Sequence, residues 1–288
     1  MPSLKEIKSR INSVNSTKKI TSAMKMVASA KLHRAQAAIT NMLPYEQKLH
    51  SMLTAFLSEE TIIQSPYIEE HSLEKIALVV FSSNSSLCGA FNTNVIRQMR
   101  SVINEYKSLG TQNILIYPIG RKIADACRKA GLTIQGNFQR LAEKPSYPEM
   151  AELAQSLMKQ YASHEIDRVE IIYHHMKSTA SQILVRETYL PITLESEAET
   201  DSKTALDYIV EPSKEQLIAT LLPQVLSLKL YTVLLDSNAS EHAARMLAMQ
   251  IATDNADDLI QDLTVLFNKS RQSAITNELL DIMGGSIR

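Results

Sequence analysis

The chain has 288 residues, 44% hydrophobic and 21% charged, with a formal net charge of −1; this excludes a disordered polymer and leaves room for one or two domains with a sizeable core. Near-neutrality gives the chain as a whole no case for binding nucleic acid or an anionic surface, and Cys88 and Cys127 are too few and too ill-spaced for a disulfide framework or a zinc site. The charge is unevenly placed: residues 1 to 45 carry eight Lys or Arg against Glu6 alone, net +7, and residues 236 to 268 carry six acids against Arg245 alone, net −5.

From the N-terminus, apolar residues fall at Leu4, Ile7, Ile11 and Val14, resume at Ile20, Met24 and Val27, and continue re-registered at Leu32, Ala35, Ile39, Met42, Leu49, Met52 and Phe56. That spacing predicts a helix from about residue 4 to about 57, about 80 Å long, in an imperfect coiled coil with a stutter near 28 to 32 and a kink at Pro44. A basic, acid-poor N-terminus also fits a mitochondrial transit peptide, but the periodicity reads as working structure. No apolar h-region occupies the first 25 residues, so no secretory signal is expected.

In the middle, "KIALVVF" (75–81), "NILIYPI" (113–119), "RVEIIY" (168–173) and "SQILVRETYLPI" (181–192) read as strands, with helical patterns at about 93–108, 120–130 and 147–163. Alternation of this kind predicts a small α/β sheet of parallel strands, with a hairpin open as its last step. The longest uncharged run, Ile76 to Ile96, holds eight Ser, Thr or Asn and cannot span a bilayer.

The C-terminal stretch is the most regular. Val225, Leu228, Thr232, Leu235, Ala239, His242, Met246, Met249, Thr253, Ala256, Ile260, Leu263, Phe267, Ser270 and Ala274 step by three and four for seven heptads. Pro212 is placed to start this helix, Pro223 to kink its first turns, and Gly284 with Gly285 to stop it. The seven glycines leave 1–88 and 137–283 free of glycine. The expected fold is therefore α/β: a long antiparallel coiled coil of N- and C-terminal helices plus a central Rossmann-like α/β domain. Its expected parts are residues 1–60, 73–195 and 210–288.

Candidate chemistry is thin. "FSSNSSLCGAFN" (81–92) follows a strand and precedes a helix, where a phosphate loop would lie, but its single glycine and lack of GKS/T match neither the P-loop nor GxGxxG. A strand-to-helix turn capped by Ser and Asn is the better reading. Cys88 as a nucleophile would need a nearby base that the sequence does not supply. His174 and His175, adjacent on a strand end, face opposite sides and share no metal. Asp254, Asp257, Asp258 and Asp262 spread over more than one helix face, as a solvated or partner-facing surface would. Lys18, Lys19, Lys25, Lys31 and Arg34 form a basic face without aromatics for base stacking, suited to an acidic protein partner or to the chain's own acidic helix.

Several stretches resemble one family. "IKSRINSVNSTKKITSAMKMVASAKLHRAQ" (7–36) is similar to the opening of the F-type ATP synthase gamma subunit, the central stalk, of bacterial type. "SSLCGAFN" (85–92) looks like its central motif; "NASEHAARMLAMQIATDNADDLI" (238–260) and "NKSRQSAITNELLDIMGG" (268–285) resemble its last helix. The matches run in order along the whole chain. Asn84, Ser85 and Ser86 stand where the family usually has Asp-Arg-Gly, Ser286 where Gly is commonly followed by Ala, and the inserted cysteine pair of chloroplast members is lacking.

The resemblance implies a rotor shaft that couples proton flow to ATP synthesis, with no catalytic residue, metal or cofactor of its own. Its partners would be the catalytic beta and non-catalytic alpha subunits, the epsilon subunit and the membrane c-ring, with no nucleic acid. It would be peripheral, on the cytoplasmic face of a bacterial inner membrane. By motif match, Met24, Arg245, Arg271, Gln272, Thr276 and Glu278 are expected to contact the ring of subunits, Arg245 by pairing with a carboxylate. A free-standing coiled-coil scaffold and a nucleotide-binding enzyme using residues 81–92 are the competing readings.

Overall fold

The computed structural model describes residues 3–57, 65–192 and 213–285. Helix α1 (Leu4–Leu57) is followed by β1 (Ile76–Phe81), α2 (Phe91–Glu105), β2 (Ile114–Ile119), α3 (Arg121–Lys129), α4 (Gln139–Glu143), α5 (Tyr147–Ala162), β3 (Arg168–Met176), β4 (Gln182–Leu190) and α6 (Lys214–Gly285). Two compact units result: Met1–Ser29 with Arg245–Arg288, and Ala30–Ala244. Both long helices run through both units. The α/β class and the two long terminal helices agree with expectation.

In the larger unit the strand order is β2-β1-β3-β4. β1 pairs in parallel with β2 and β3, and β4 closes an antiparallel hairpin with β3. Every residue of β1 is buried, because helices cover both of its faces; this is why its sequence is a continuous apolar run and not an alternation. Ile76, Leu78 and Val80 pack with Val95 and Met99 of α2 and Ile123 and Cys127 of α3. Ala77, Val79 and Phe81 face Met150, Leu153 and Leu157 of α5 and Leu226, Leu230, Val233 and Leu234 of α6. Full burial of each large side chain contributes about 1.5–3 kcal/mol.

The α6 stripe in that second layer, Leu226, Leu230, Val233 and Leu234, lies outside the expected heptad seam. An 18-residue window of α6 has a mean hydropathy of 1.6, enough by length and composition alone for a membrane span. Leu222, Leu226, Leu230, Val233 and Leu234 are all buried within the protein, so the apolarity serves the sheet and the seam together. Short α4 was likewise unforeseen. The expected start at Pro212 lies outside the described residues; within them Ser213 Oγ accepts the Gln216 N–H at 3.3 Å, an N-cap. The helix continues through Pro223, as α1 does through Pro44.

The smaller unit is a helix pair. α1 opens on a capping box, with Ser3 N–H donating to Glu6 Oε2 at 2.8 Å and Glu6 N–H to Ser3 Oγ at 3.3 Å. The pair is antiparallel: Lys18 Nζ meets Asp257 Oδ1, and the Thr21 and Thr253 hydroxyls bond at 2.8 Å. Along α6 every residue of the expected seam after 245, Met246, Met249, Thr253, Ala256, Ile260, Leu263, Phe267, Ser270 and Ala274, is among the less exposed, together with Ala248, Gln250, Ala252 and Asp257. Along α1 the seam differs from expectation. Ile20 is 60% and Val27 58% exposed, while Leu4, Ile7, Ile11, Val14, Lys18, Thr21, Lys25 and Ala28 form a shielded row that leads on to Leu32 and Ala35, with Ser22 and Met24 half-buried beside it. The steps of three and four never break, so there is no stutter. Polar and small residues carry the seam through 18 to 28 because they meet polar partners there.

Where β3 pairs with β4, Glu170 is almost fully buried. Arg186 grips it with Nε to Oε2 at 2.8 Å and Nη2 to Oε1 at 3.2 Å, Tyr106 donates to Oε1 at 2.6 Å, and Arg186 Nη1 reaches Glu105 at 2.6 Å. The bond to Glu170 pushes the guanidinium pKa further up. Removing one partner strands the other charge, so Arg186→Met is expected to cost about 3–5 kcal/mol by chemical denaturation. The double variant Arg186→Met with Glu170→Met is expected to recover much of that loss.

Candidate functional site

The loop between β1 and α2 sits at the carboxyl ends of the strands, where α/β sheets usually bind ligands. Three of its backbone donors bond within the chain. Ser82 N–H donates to Ile119 O at 2.8 Å, and Phe91 N–H to Cys88 O at 3.3 Å. Ser83 N–H goes to Asn92 Oδ1 at 3.1 Å, and Ser83 Oγ also bonds Asn92. Gly89 has φ +59 with open space around it, a turn glycine rather than part of a cradle. The expected strand-to-helix turn is therefore what forms, and Ser and Asn brace the loop against itself.

The atypical Asn84 ties three segments together: its Oδ1 accepts Arg121 N–H at 2.9 Å, its Nδ2 donates to Gln139 O at 2.8 Å, and its own carbonyl accepts Arg121 Nε at 3.1 Å. A cavity of about 450 Å³ opens beside it, lined by charges of both signs, among them Lys31, Arg121, Arg140, Glu143 and Glu241. Gly120 is obligatory here, since a Cβ would lie 2.2 Å from Ser82 O. Leu87 stands out at the loop tip, 61% exposed and held at φ 67, a conformation costly for a leucine.

Neither cysteine is placed as a nucleophile. Cys88 is buried and takes a bond from Asn92 Nδ2 at 3.1 Å. Cys127 is buried, and burial pushes its thiol up to about 11. Among the described residues, no group of three or more His, Cys, Asp or Glu is placed to hold a metal ion. His174 and His175 point apart as expected. His174 stacks on Phe91 with ring centroids 4.3 Å apart, and burial lowers its pKa to about 4. His175 is exposed and pairs through Nδ1 with Asp236 Oδ2 at 2.6 Å.

What remains is the helix pair. With Thr21 facing Thr253, Ser3 falls opposite about residue 271, so the last turns of α6 face no other helix among the described residues. That overhang exposes Ile275, Leu279, Leu280, Ile282 and Met283. A single helix showing this much apolar surface is built to be covered by something else. The same holds on a smaller scale for Ile20, Met26, Val27, Ile251 and Val265 along the pair.

The family model described as ATP synthase matches residues 3–287. The ATP synthase gamma chain of Phocaeicola vulgatus is 60% identical over 288 residues, covering 100% of both chains. The chain belongs to the ATP synthase gamma-chain family. The gamma chain of Parabacteroides distasonis is 50% identical over 99% of each. Among solved structures, a chain of the Euglena gracilis mitochondrial ATP synthase aligns with a TM-score of 0.63 at 20% identity, covering 99% of this chain and 93% of that one. At that identity the likeness shows the fold.

Within this gamma-chain fold the six expected contact residues separate. Arg271, Gln272, Thr276 and Glu278 are exposed on the overhang or at its start, and Met24 is half-buried on α1. Thr276 turns its hydroxyl back to Gln272 O at 2.9 Å. Arg245 is only 8% exposed, where a place on the outer face requires solvent; it is enclosed by its own chain. Sequence reasoning missed Leu87, whose signal is an apolar residue two positions before a turn glycine, and the exposed apolar overhang, whose signal is that α6 outlasts α1.

His174 makes folding pH-dependent. Its folded pKa lies below the unfolded value near 6.5, so its contribution is complete above that value and is lost as pH falls towards 4. Between pH 7 and 5 the loss is about 2 kcal/mol. In paired denaturation series, His174→Leu is expected to flatten the stability–pH slope by that amount.

Proposed function

We propose that this chain is the central rotor shaft of an F-type ATP synthase, coupling proton flow through the membrane sector to ATP synthesis on neighbouring subunits by rotation. In this reading residues 1–60 and 210–288 are the shaft and residues 73–195 its globular foot. The partners are the catalytic beta and non-catalytic alpha subunits around the helix pair, with epsilon and the c-ring at the foot. The chain then sits peripherally on the cytoplasmic face of the bacterial inner membrane. Solved relatives come from a central stalk with c-ring in Tetrahymena thermophila and from a rotor in Euglena gracilis.

The observation that carries the reading is the overhang. A shaft tip turning in a sleeve needs apolar contact without directional bonds, since each hydrogen bond to a fixed neighbour would have to break on every turn. Ile275, Leu279, Leu280, Ile282 and Met283 supply such a surface. Arg271 and Gln272, exposed where the overhang begins, are assigned to hydrogen bonds with a loop of a catalytic subunit, with Met24, Thr276 and Glu278 completing the contact set. Arg245, enclosed within the chain, supports the pair from inside and meets the ring only where a partner displaces its neighbours.

Reconstitution with the catalytic and non-catalytic subunits tests this. ATP hydrolysis is expected to depend on the chain, and ATPase activity indifferent to it would sink the proposal. Leu279→Glu with Leu280→Glu is expected to leave the isolated fold intact, because both side chains are exposed, but to weaken assembly at least tenfold. Arg271→Ala is expected to lower ATP-driven proton pumping per ATP hydrolysed; unchanged coupling and assembly would remove Arg271 from the contact set.

A further inference from the structure

We propose that His71, His164 and Asp167 form a pH-sensitive clasp, which fastens the segment leading into β1 onto the turn between α5 and β3. Residues 65–75 are held by polar bonds rather than by a strand ladder. Tyr161 Oη donates to Glu69 O at 2.5 Å, and Asp167 Oδ2 accepts the N–H groups of Glu74 and Lys75 at 2.8 and 2.7 Å. Asp167 N–H donates to Lys75 O at 2.9 Å, and Ile192 N–H to Tyr67 O at 2.9 Å. Asp167 is thus the main fastening point for the end of the segment.

The His71 ring is inserted beside that point. It stacks on Tyr161 with centroids 4.4 Å apart and lies 4.1 Å from the ring of His164. Its side chain is 6% exposed, and its buried Nδ1 has no hydrogen-bond partner. The nearest carboxylate oxygen is Asp167 Oδ1, at 3.9 Å. His164 occupies the residue just past the C-cap of α5 at φ 58, a left-handed position that glycine takes by default. Placing a histidine there costs conformational strain and supplies the second ring against His71.

In the neutral imidazole with its proton on Nε2, Nδ1 is a buried acceptor turned to a carboxylate, and no bond forms. Uptake of one proton from solvent gives Nδ1 a hydrogen, and a ring tilt of about an ångström brings it to Asp167 Oδ1 as a charge-assisted bond. The other charged groups around the cluster are Glu69, Glu70 and Arg168, which act on Tyr161, with Glu74, Lys75 and Glu165 adjacent in the chain. The Tyr161 phenol, pushed up to about 12 by burial, stays neutral throughout. Acidification therefore tightens the clasp, and alkaline pH leaves the segment on its amide bonds, the Tyr161 hydroxyl and the ring stack.

The test is amide hydrogen exchange on the full chain from about pH 8 to about pH 5.5, with rates corrected for intrinsic pH dependence, alongside ring NMR of His71. Protection of the Glu74 and Lys75 amides is expected to rise on the order of threefold to tenfold as pH falls, tracking the His71 ring titration. His71→Phe preserves the stack on Tyr161 and is expected to abolish the step. Asp167→Asn retains an oxygen for the two amides and is expected to abolish it too. Protection that stays flat in the unmodified chain, or a step that survives in either variant, overturns the clasp.

Discussion

Helix α6 has to bury two stripes along its first half and only one along its second, and the rest of the structure follows from that division. Up to Ala244 its side chains meet the sheet on one side, through Leu226, Leu230, Val233 and Leu234. On another side they meet α1, with which Glu241 and His242 share a cavity wall beside Lys31. A helix with two covered sides reads as apolar nearly all round, which is why this stretch has the hydropathy of a membrane span. Beyond Arg245 only the seam remains, and the other faces revert to Gln, Asp, Asn and isolated Leu or Ile. The small seam residues Ala256 and Ser270 let the two helices approach closely, keeping the pair thin.

The two ends of α6 are stabilised in different ways. The sheet half is anchored by burial and by satisfied polar contacts, including Tyr189 donating to Leu226 O at 2.9 Å, Ser240 to His174 O at 2.9 Å, and Asp236 holding both His175 and Met176 N–H. Among the described residues the other half shows one seam, the Thr21–Thr253 pair and the partly exposed Lys18–Asp257 ion pair. Subglobal opening is therefore cheaper there than in the sheet, and the overhang gains most from being enclosed by partners.

What the sequence revealed depended on how many neighbours each element has. β1 to β4 were legible to within a few residues; β1, covered on both faces, gives a run, "IALVVF", that no amphipathic helix imitates. The extent of α1 was legible from periodicity, but its seam through 18 to 28 was not. Counting bulky apolar residues selects Ile20 and Val27, which are exposed, while the pair at that level uses Lys18, Thr21, Lys25 and Ala28, with Met24 half-buried beside them. A polar residue belongs in a seam only when its partner is polar, and Thr253 and Asp257 are recognisable as partners only once the antiparallel register is known. The second stripe on α6 was hidden for a related reason: its leucines lie between heptad positions already explained. Arg245 was misplaced because a lone base among acids reads as a surface charge, whereas in the fold it is enclosed.

The opposite charges of the two helices, +7 in residues 1 to 45 and −5 in 236 to 268, invite the view that electrostatics holds the pair together. The structure assigns them a different role. Lys18 and Asp257 remain 37% and 48% exposed, and a pair in such a setting contributes at most about 1 kcal/mol. The apolar layers of Ile7, Ile11 and Val14 with Ile260, Leu263 and Phe267 bury far more, yet any of these residues packs acceptably against any other. Apolar layers supply attraction without direction. Charge asymmetry disfavours the arrangement that would bring like ends together, and the Thr21–Thr253 bond is satisfied only when those two residues are level. Stability thus comes from the apolar layers and alignment from the polar ones, so substitutions at Lys18 or Thr21 should be read through helix register before they are read through stability.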